Sequence, residues 1–162
     1  MFTRRILFVA TFAALAAFAG CATHSTPSSV ADTIAAKPQL STLNSLVAKA
    51  GLTATLQGTG PFTVFAPSNE AFAKVPAKTM AELASDPAKL KAVLTYHVIP
   101  GKVMAADVKN GNVKTVNGAN LALAKAGDYV TVEEALVETA DISAINGVVH
   151  VIDSVLTPPA KR

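Results

Sequence analysis

The chain has 162 residues, of which 51% are hydrophobic and 15% charged, and its formal net charge is +3 at pH 7. Arg4 and Arg5 are the only basic residues among the first twenty, so residues 21–162 carry 12 basic and 11 acidic side chains and a net charge of about +1. This part of the chain lacks the basic excess that attracts nucleic-acid phosphates, which excludes a nucleic-acid partner, and its length suits one domain.

Residues 1–20 have the pattern of a lipoprotein signal peptide. Arg4 and Arg5 precede an apolar run over 6–19, which is shorter than the ~20 residues of a membrane-spanning helix. Small residues follow, as they do before a signal-peptide cleavage site. Phe18-Ala19-Gly20-Cys21 resembles a bacterial lipobox with phenylalanine in place of the usual leucine. The resemblance implies cleavage before Cys21, lipidation of its thiol, and export to the cell envelope with the membrane as partner.

Two alternatives remain for this leader. Cys21 is the only cysteine and could be a stray thiol, but lipidation explains its position and removes an unpaired thiol from an oxidising compartment. Arg4-Arg5 also resembles a twin-arginine export signal, although general secretion is the preferred route. Ala22 stands where lipoproteins retained at the inner membrane usually have aspartate, so the resemblance implies the outer membrane.

Residues 21–28 are predicted to form a lipidated, flexible tether, because they are small or polar and lack an apolar period. A helix then follows Ser28 and Ser29, which can cap it. A second helix is indicated by apolar residues at spacings of three and four, namely Leu40, Leu43, Leu46, Val47 and Ala50. Gly51 stands where a helix C-cap requires positive φ.

A strand is predicted over 62–65 after a Gly-Pro turn. Short helices follow over 69–72, with Ser68 as cap, and over 79–84. A longer helix begins at Pro87, which Asp86 caps. Residues 96–99 are predicted to leave that helix as a strand, which Pro100-Gly101 ends.

The second half of the chain has the period of two that is typical of strands. Asn117-Gly118 and Gly127-Asp128 are hairpin turn signals. Six strands are predicted, over 112–116, 120–125, 128–132, 135–139, 147–152 and 155–156. Helices first and strands second favour an α+β fold.

No catalytic residue, metal ligand or cofactor site is predicted. His24, His97 and His150 lack metal-binding spacing. There is no GxSxG elbow, and Asp153 and Ser154 cannot form a triad with His150 within one strand. Glu133-Glu134 is expected to be a solvated turn. These patterns argue against an enzyme.

Three segments together resemble the fasciclin domain: GPFTVFAPSNEAF at 60–72, LTYHVIPG at 94–101 and NGVVHVIDSVLTPP at 146–159. The resemblance covers residues 29–158 and leaves 159–162 as a C-terminal tail. It implies a curved β-sandwich or wedge with several helices packed on one side. Where many fasciclin domains have an Asn-Gly turn, this chain has Glu133-Glu134. A type I′ turn requires positive φ at both positions, which glutamate disfavours.

The resemblance also implies two adhesion-motif candidates, Tyr96-His97 and Asp141-Ile142. His97 has a second, structural interpretation, in which a neutral imidazole donates to one backbone carbonyl and accepts from one backbone amide. Ile142 could likewise fill the core while Asp141 makes a local turn bond. Both interpretations stay open at this point.

The predicted function is non-enzymatic adhesion at the cell envelope, through a cell-surface or matrix protein or a polysaccharide. The alternative is a carrier of an apolar small molecule, a lipid or a pigment. An apolar crevice between helices and sheet would favour the carrier, and a continuous core would favour adhesion.

Overall fold

The computed structural model describes residues 28–159. The predicted signal peptide, Cys21 and nearly all of the tether therefore lie outside the described residues, as do the last three residues of the tail. The described helices are α1 (Val30–Ala35), α2 (Ser41–Lys49), α3 (Thr53–Leu56), α4 (Asn69–Ala73), α5 (Ala77–Ser85) and α6 (Pro87–Tyr96), with a 3-10 turn over Pro38–Leu40. The strands are β1 (Phe62–Pro67), β2 (Val98–Pro100), β3 (Gly111–Lys114), β4 (Asn120–Ala126), β5 (Tyr129–Val132), β6 (Ala135–Ala144) and β7 (Gly147–Ile152).

The seven strands form one sheet in the order β2-β1-β7-β6-β5-β4-β3. Among the described strands, β1 and β7 are the only parallel pair, with Phe62 opposite Gly147. The sheet curls until its ends meet, since the N–H of Val116 donates to the carbonyl of Val98 at 2.8 Å. The predicted α+β class and its wedge of sheet and helices are confirmed.

Alternation along β1 and β7 divides the interior into two cores, because successive side chains point to opposite faces of the sheet. One core lies between the helices and the sheet and includes Val30, Ile34, Leu40, Leu43, Leu90, Val64, Val149 and Val151. The other lies inside the curl of the sheet and includes Phe65, Tyr96, Ile99, Leu121, Leu123, Val132 and Ile152. Both faces of β1 and β7 are therefore buried.

The predicted caps are confirmed. Ser29 accepts from the N–H of Asp32, whose carboxylate in turn accepts from the N–H of Ser29, a capping box at the start of α1. The Ser68 hydroxyl accepts from Ala71, and the Asp86 carboxylate accepts from the first amides of α6. Gly51 follows α2 with φ of 67°. The three N-cap side chains satisfy backbone amides of the first helical turn, which have no partner within the helix.

The structure corrects two of the predicted strands. Tyr96 is the last residue of α6 and His97 is its C-cap, so β2 begins only at Val98. The apolar residues of 93–98 fit a helical as well as an extended pattern, and the helix is continued by bonds from the His97 N–H to Val93 and Leu94. The predicted strand at 155–156 is absent from the described chain, because the N–H of Leu156 donates to the His97 ring instead of to a neighbouring strand.

Three smaller differences concern length. β6 runs to Ala144, well beyond the predicted end at 139, and its register against β7 shifts twice between Val137 and Ile142. The short helix α3 and the 3-10 turn were not predicted, because each is too short to show an apolar period.

Among residues 28–159, no helix has both the length and the apolar character needed to cross a membrane.

Candidate functional site

His97 lies at the junction of α6 and β2, where its ring is 2% exposed. Nδ1 lies 2.8 Å from the carbonyl oxygen of Val93, and Nε2 lies 3.0 Å from the amide nitrogen of Leu156. Nδ1–H therefore donates and Nε2 accepts, which requires the neutral ring. Burial lowers the pKa of His97 to about 4, although the Val93 carbonyl acts in the opposite direction. The predicted hydrogen-bonding pattern of a structural histidine is confirmed.

The side chain of Tyr96 is also buried, inside the curl of the sheet. Its hydroxyl oxygen lies 3.0 Å from the Asn120 carbonyl and 3.1 Å from Oε1 of Glu133, and both are acceptors. Burial, with the negative charge of Glu133, raises the pKa of Tyr96 to about 12. The phenol is therefore protonated at neutral pH, and its one hydrogen is shared between the Asn120 carbonyl of β4 and the Glu133 carboxylate of the β5–β6 turn.

The β5–β6 turn is exposed, as expected of a solvated turn. Of its two residues, only Glu133 has positive φ, 55°, a pattern seen at the first position of a type II′ turn. The Glu133 carboxylate accepts from the N–H of Ala122 at 2.9 Å as well as facing Tyr96. Glu133 thus combines solvent exposure with hydrogen bonds to the neighbouring strand and to α6, which the sequence did not indicate.

Asp141 occupies the irregular part of β6 with φ of 58°. Oδ1 of its carboxylate accepts from the N–H of Ala105 at 2.8 Å, and its own N–H donates to Nδ1 of His150 at 3.2 Å. Ile142 is half-buried and packs on the helical core. The expectation of a local turn bond is therefore wrong for Asp141, because the amide that its carboxylate binds lies 36 residues earlier in the chain.

His150 is a structural residue whose role the sequence did not reveal. It is 2% exposed, its ring stacks on Phe65 with centroids 5.5 Å apart, and Nε2–H donates to the Val103 carbonyl at 2.9 Å. Burial lowers the pKa of His150 against the opposing effects of that carbonyl and of Asp141. The Thr63 hydroxyl binds the same segment, since it donates to the carbonyl of Gly101 and accepts from the N–H of Val103. The sequence signal for this arrangement is one polar residue within each of two apolar strand segments, Thr63 in β1 and His150 in β7.

The motif residues therefore hold two surface segments in place. We call residues 101–110 the crossing loop and residues 153–159 the C-terminal strap. His150, Thr63 and Asp141 bind the backbone of the crossing loop, whereas His97 binds the strap. No contact between Tyr96-His97 and Asp141 appears among the described residues. The two motifs act on different parts of the surface.

An apolar groove of about 950 Å³, which we call the α5–α6 groove, lies on the surface of the described chain. It lies between α5, α6, the turn at 117–119 and the strap. Its apolar lining includes Leu83, Ala92, Val93, Ala119, Pro158 and Pro159. A second, more polar cleft of about 460 Å³ lies on the other side of the strap, with Tyr96, Glu133 and Glu134 in its lining. Between α2, α3 and β1 there is only a small apolar void of about 30 Å³.

Within residues 28–159, no group of three His, Cys, Asp or Glu side chains is placed to hold a metal ion. The ring nitrogens of His97 and His150 are all engaged with backbone groups. Coordination by either ring would require breaking those bonds. The described geometry thus offers these histidines a structural role.

The sequence is similar to those of known proteins. The family model of the fasciclin domain matches residues 38–158. Protein sll1483 of Synechocystis is 44% identical over 132 residues, which are 80% of this chain and 73% of that protein. The cell surface glycolipoprotein MPB83 of Mycobacterium bovis is 39% identical over 137 residues, 82% of this chain and 61% of the relative.

A solved structure has a similar fold. It is a FAS1 domain pair from the insect cell adhesion molecule fasciclin I, with a TM-score of 0.62 at 18% sequence identity. The similarity covers 83% of this chain and 51% of the insect chain. At that identity the likeness concerns the fold alone, and this chain spans about half of the insect pair.

Proposed function

The chain belongs to the fasciclin domain family, and from that membership we propose that it is a non-enzymatic adhesion module held at the bacterial cell envelope. The observation that carries the proposal is the use of the motif residues. Asp141 fixes the crossing loop and His97 fixes the strap through backbone hydrogen bonds, and Tyr96 contacts the Asn120 carbonyl of β4 and the side chain of Glu133 in the β5–β6 turn. Surface segments fixed in this way can bind a partner without first losing much conformational entropy.

The contact surface is proposed to be these held segments together with the exposed β4–β5 and β6–β7 turns, and not the buried motif side chains. Tyr96 and His97 are each 2% exposed, so a partner meets the backbone and the exposed side chains around them. Tyr129 at the β4–β5 turn and Ile145 at the β6–β7 turn are 68% and 66% exposed. Exposed aromatic and aliphatic side chains of this kind are suited to weak contacts with a surface or matrix protein or a polysaccharide.

The envelope location is proposed from Phe18-Ala19-Gly20-Cys21 and is supported by the cell surface glycolipoprotein among the relatives. Lipid on Cys21 would anchor the domain, and the outer membrane follows from Ala22. Many anchored copies multiply modest affinities, because each further contact becomes intramolecular.

Attachment of a deletion strain tests the adhesion proposal. The strain is complemented with the wild type and with Tyr129→Ser or Ile145→Ser, exposed changes that should leave the fold intact. We expect reduced cell–surface or cell–cell attachment on deletion and incomplete rescue by the variants. Unchanged attachment of the deletion strain contradicts the proposal.

The α5–α6 groove supports a second candidate function, carriage of an apolar small molecule. Its volume of about 950 Å³ lies at the upper end of the ~300–1,000 Å³ of ligand pockets. Purification from the native host, followed by organic extraction and mass spectrometry, tests it. Recovery of a lipid or pigment in amounts near one per chain is the expected result for a carrier, and an empty protein argues against it.

A further inference from the structure

We infer that the α5–α6 groove is a binding site for a single-chain anionic lipid, whose carboxylate is bound by Lys89. The inference rests on the second candidate function, carriage, and adds to it the site and the chemical class of the ligand. It does not depend on the adhesion proposal.

Both helices contribute apolar side chains to the groove. Leu83 of α5 lines it one helical turn after Thr79, and Ala92 and Val93 of α6 line it as well. The remaining apolar lining comes from Ala119 and from the prolines of the strap, beside Asn117 and Thr157. An alkyl chain bound among these apolar groups would be removed from water.

The lining of the groove carries one charged side chain among the described residues, that of Lys89. Lys89 precedes Ala92 and Val93 by three and four residues on α6, which places it on the same face and about 5.4 Å, one helical turn, towards the start of the helix. A ligand with one negative group and one apolar chain matches this order of groups.

The ammonium group of Lys89 is available to such a ligand. Its nearest acidic partner is Asp86, whose carboxylate oxygen lies 4.0 Å away, at the limit of an ion pair. The other Asp86 oxygen already accepts from the amides of Ala88 and Lys89. A lipid carboxylate can therefore approach the ammonium without displacing the cap of α6.

The single cation argues for a ligand with one carboxylate. Two short helices of nine and ten residues wall the groove. A long-chain fatty acid, or a lipid with one chain and one carboxylate, is the class that the groove and its single cation fit. Each buried methylene should tighten binding about fourfold.

Isothermal titration of the protein with laurate, decanoate and 1-dodecanol tests the inference. We expect laurate to bind at one per chain, about fifteenfold tighter than decanoate, since two methylenes are lost. Lys89→Gln should weaken laurate about threefold and leave dodecanol unchanged, because a partly exposed ion pair is lost. Lys91→Gln removes the same charge from an exposed position of α6 that does not line the groove, and it should change neither.

A second pair of variants locates the site. Ala92→Phe fills the groove and should abolish binding of both probes, whereas Ala88→Phe, on an exposed position of the same helix, should not. Circular dichroism and melting temperature confirm that each variant is folded. Binding that survives a folded Ala92→Phe overturns the assignment of the site.

The remaining outcomes separate the inference from the function on which it rests. If dodecanol binds as tightly as laurate and Lys89→Gln changes neither, recognition of the anion is wrong while carriage stands. If neither laurate nor dodecanol binds, the inference fails, and carriage is decided by the extraction of the natively purified protein. The adhesion proposal is unaffected by either result.

Discussion

The side-chain oxygen of Asn146 accepts a hydrogen bond of 2.8 Å from the N–H of Val30, the first residue of α1 and 116 positions earlier in the chain. The amide nitrogen of the same side chain donates to the carbonyls of Leu56 and Gly58, each at 2.7 Å. The backbone carbonyl of Asn146 accepts from Phe62 at 2.9 Å. One turn residue thus joins the starts of α1 and β1 to the end of α3.

This arrangement predicts that Asn146→Asp destabilises the fold. The carboxylate keeps the bond to Val30 but loses both donors and faces two carbonyls, at an expected cost of about 2–4 kcal/mol in the free energy of unfolding. Asn110→Asp is the matched control, since exposed Asn110 only accepts, from the amide of Lys125. Urea unfolding of both variants checks the prediction, and equal stabilities would contradict it.

The buried histidines predict that stability falls in mild acid. The pKa of His97 is lowered to about 4 in the folded chain, against about 6.5 when unfolded. Between these values the unfolded chain binds a proton that the folded chain excludes. The stabilisation is therefore complete above pH 6.5 and is lost as the pH falls towards 4, by on the order of 3 kcal/mol. His150, whose pKa is also lowered, adds in the same direction.

Urea midpoints at pH 7.5 and pH 4.5 measure this effect. In His97→Gln the amide can still donate to Val93 and accept from Leu156, but it does not titrate. The variant should therefore lose less stability than the wild type between the two pH values. The same loss in both proteins would show that His97 is not responsible.

His97 is also predicted not to bind zinc or copper. His97→Ala should lower the melting temperature, because it leaves the Leu156 amide and the Val93 carbonyl without their side-chain partner and costs about 1–3 kcal/mol. Zinc or copper should leave the melting temperature of the wild type unchanged. A large stabilisation by either metal would revive a metal site at this histidine.

Glu133 is predicted to contribute more to the stability of the fold than Glu134. The sequence alone suggests that Asn-Gly at 133–134 would relieve unfavourable φ and stabilise the turn. The carboxylate, however, accepts from Ala122 and from Tyr96, so Glu133→Asn with Glu134→Gly should lower stability by about 1–2 kcal/mol. Glu134→Gln is the control and should be neutral. Stabilisation of the double variant would mean that φ strain outweighs both bonds.

The anchor prediction concerns Cys21 and is independent of the fold. Wild-type protein should partition with membranes and carry lipid on Cys21, while Cys21→Ser should be released or retained as precursor. Intact-mass spectrometry of the exported protein measures this. A mature chain with an unmodified Cys21 would rule out lipidation.

Much of the fold follows from local signals in the sequence. Ser29, Ser68 and Asp86 mark helix starts because each supplies an oxygen to amides within its own first turn. β7 was predicted with its observed bounds over 147–152, since an apolar run bounded by Asn-Gly and Asp153 has few alternatives. The fasciclin resemblance supplied the arrangement of these elements.

Other features were decided by contacts between distant segments. The end of α6 at Tyr96, the coil at 155–156 and the bond between Glu133 and Ala122 each depend on a partner remote in sequence. Local propensity carries no information on such partners. The same applies to the α5–α6 groove, whose walls come from three separate parts of the chain.

The sequence by itself determined the elements, their caps and the family, because each depends on residues close together in the chain or on a short ordered pattern. Only the tertiary structure decided what Tyr96, His97, Asp141 and His150 do. Tyr96, His97 and His150 are buried and Asp141 is half-buried, each beside the backbone of a remote segment, and a buried polar group must find its partner wherever the fold places one. The motif residues therefore support surface segments from within the fold.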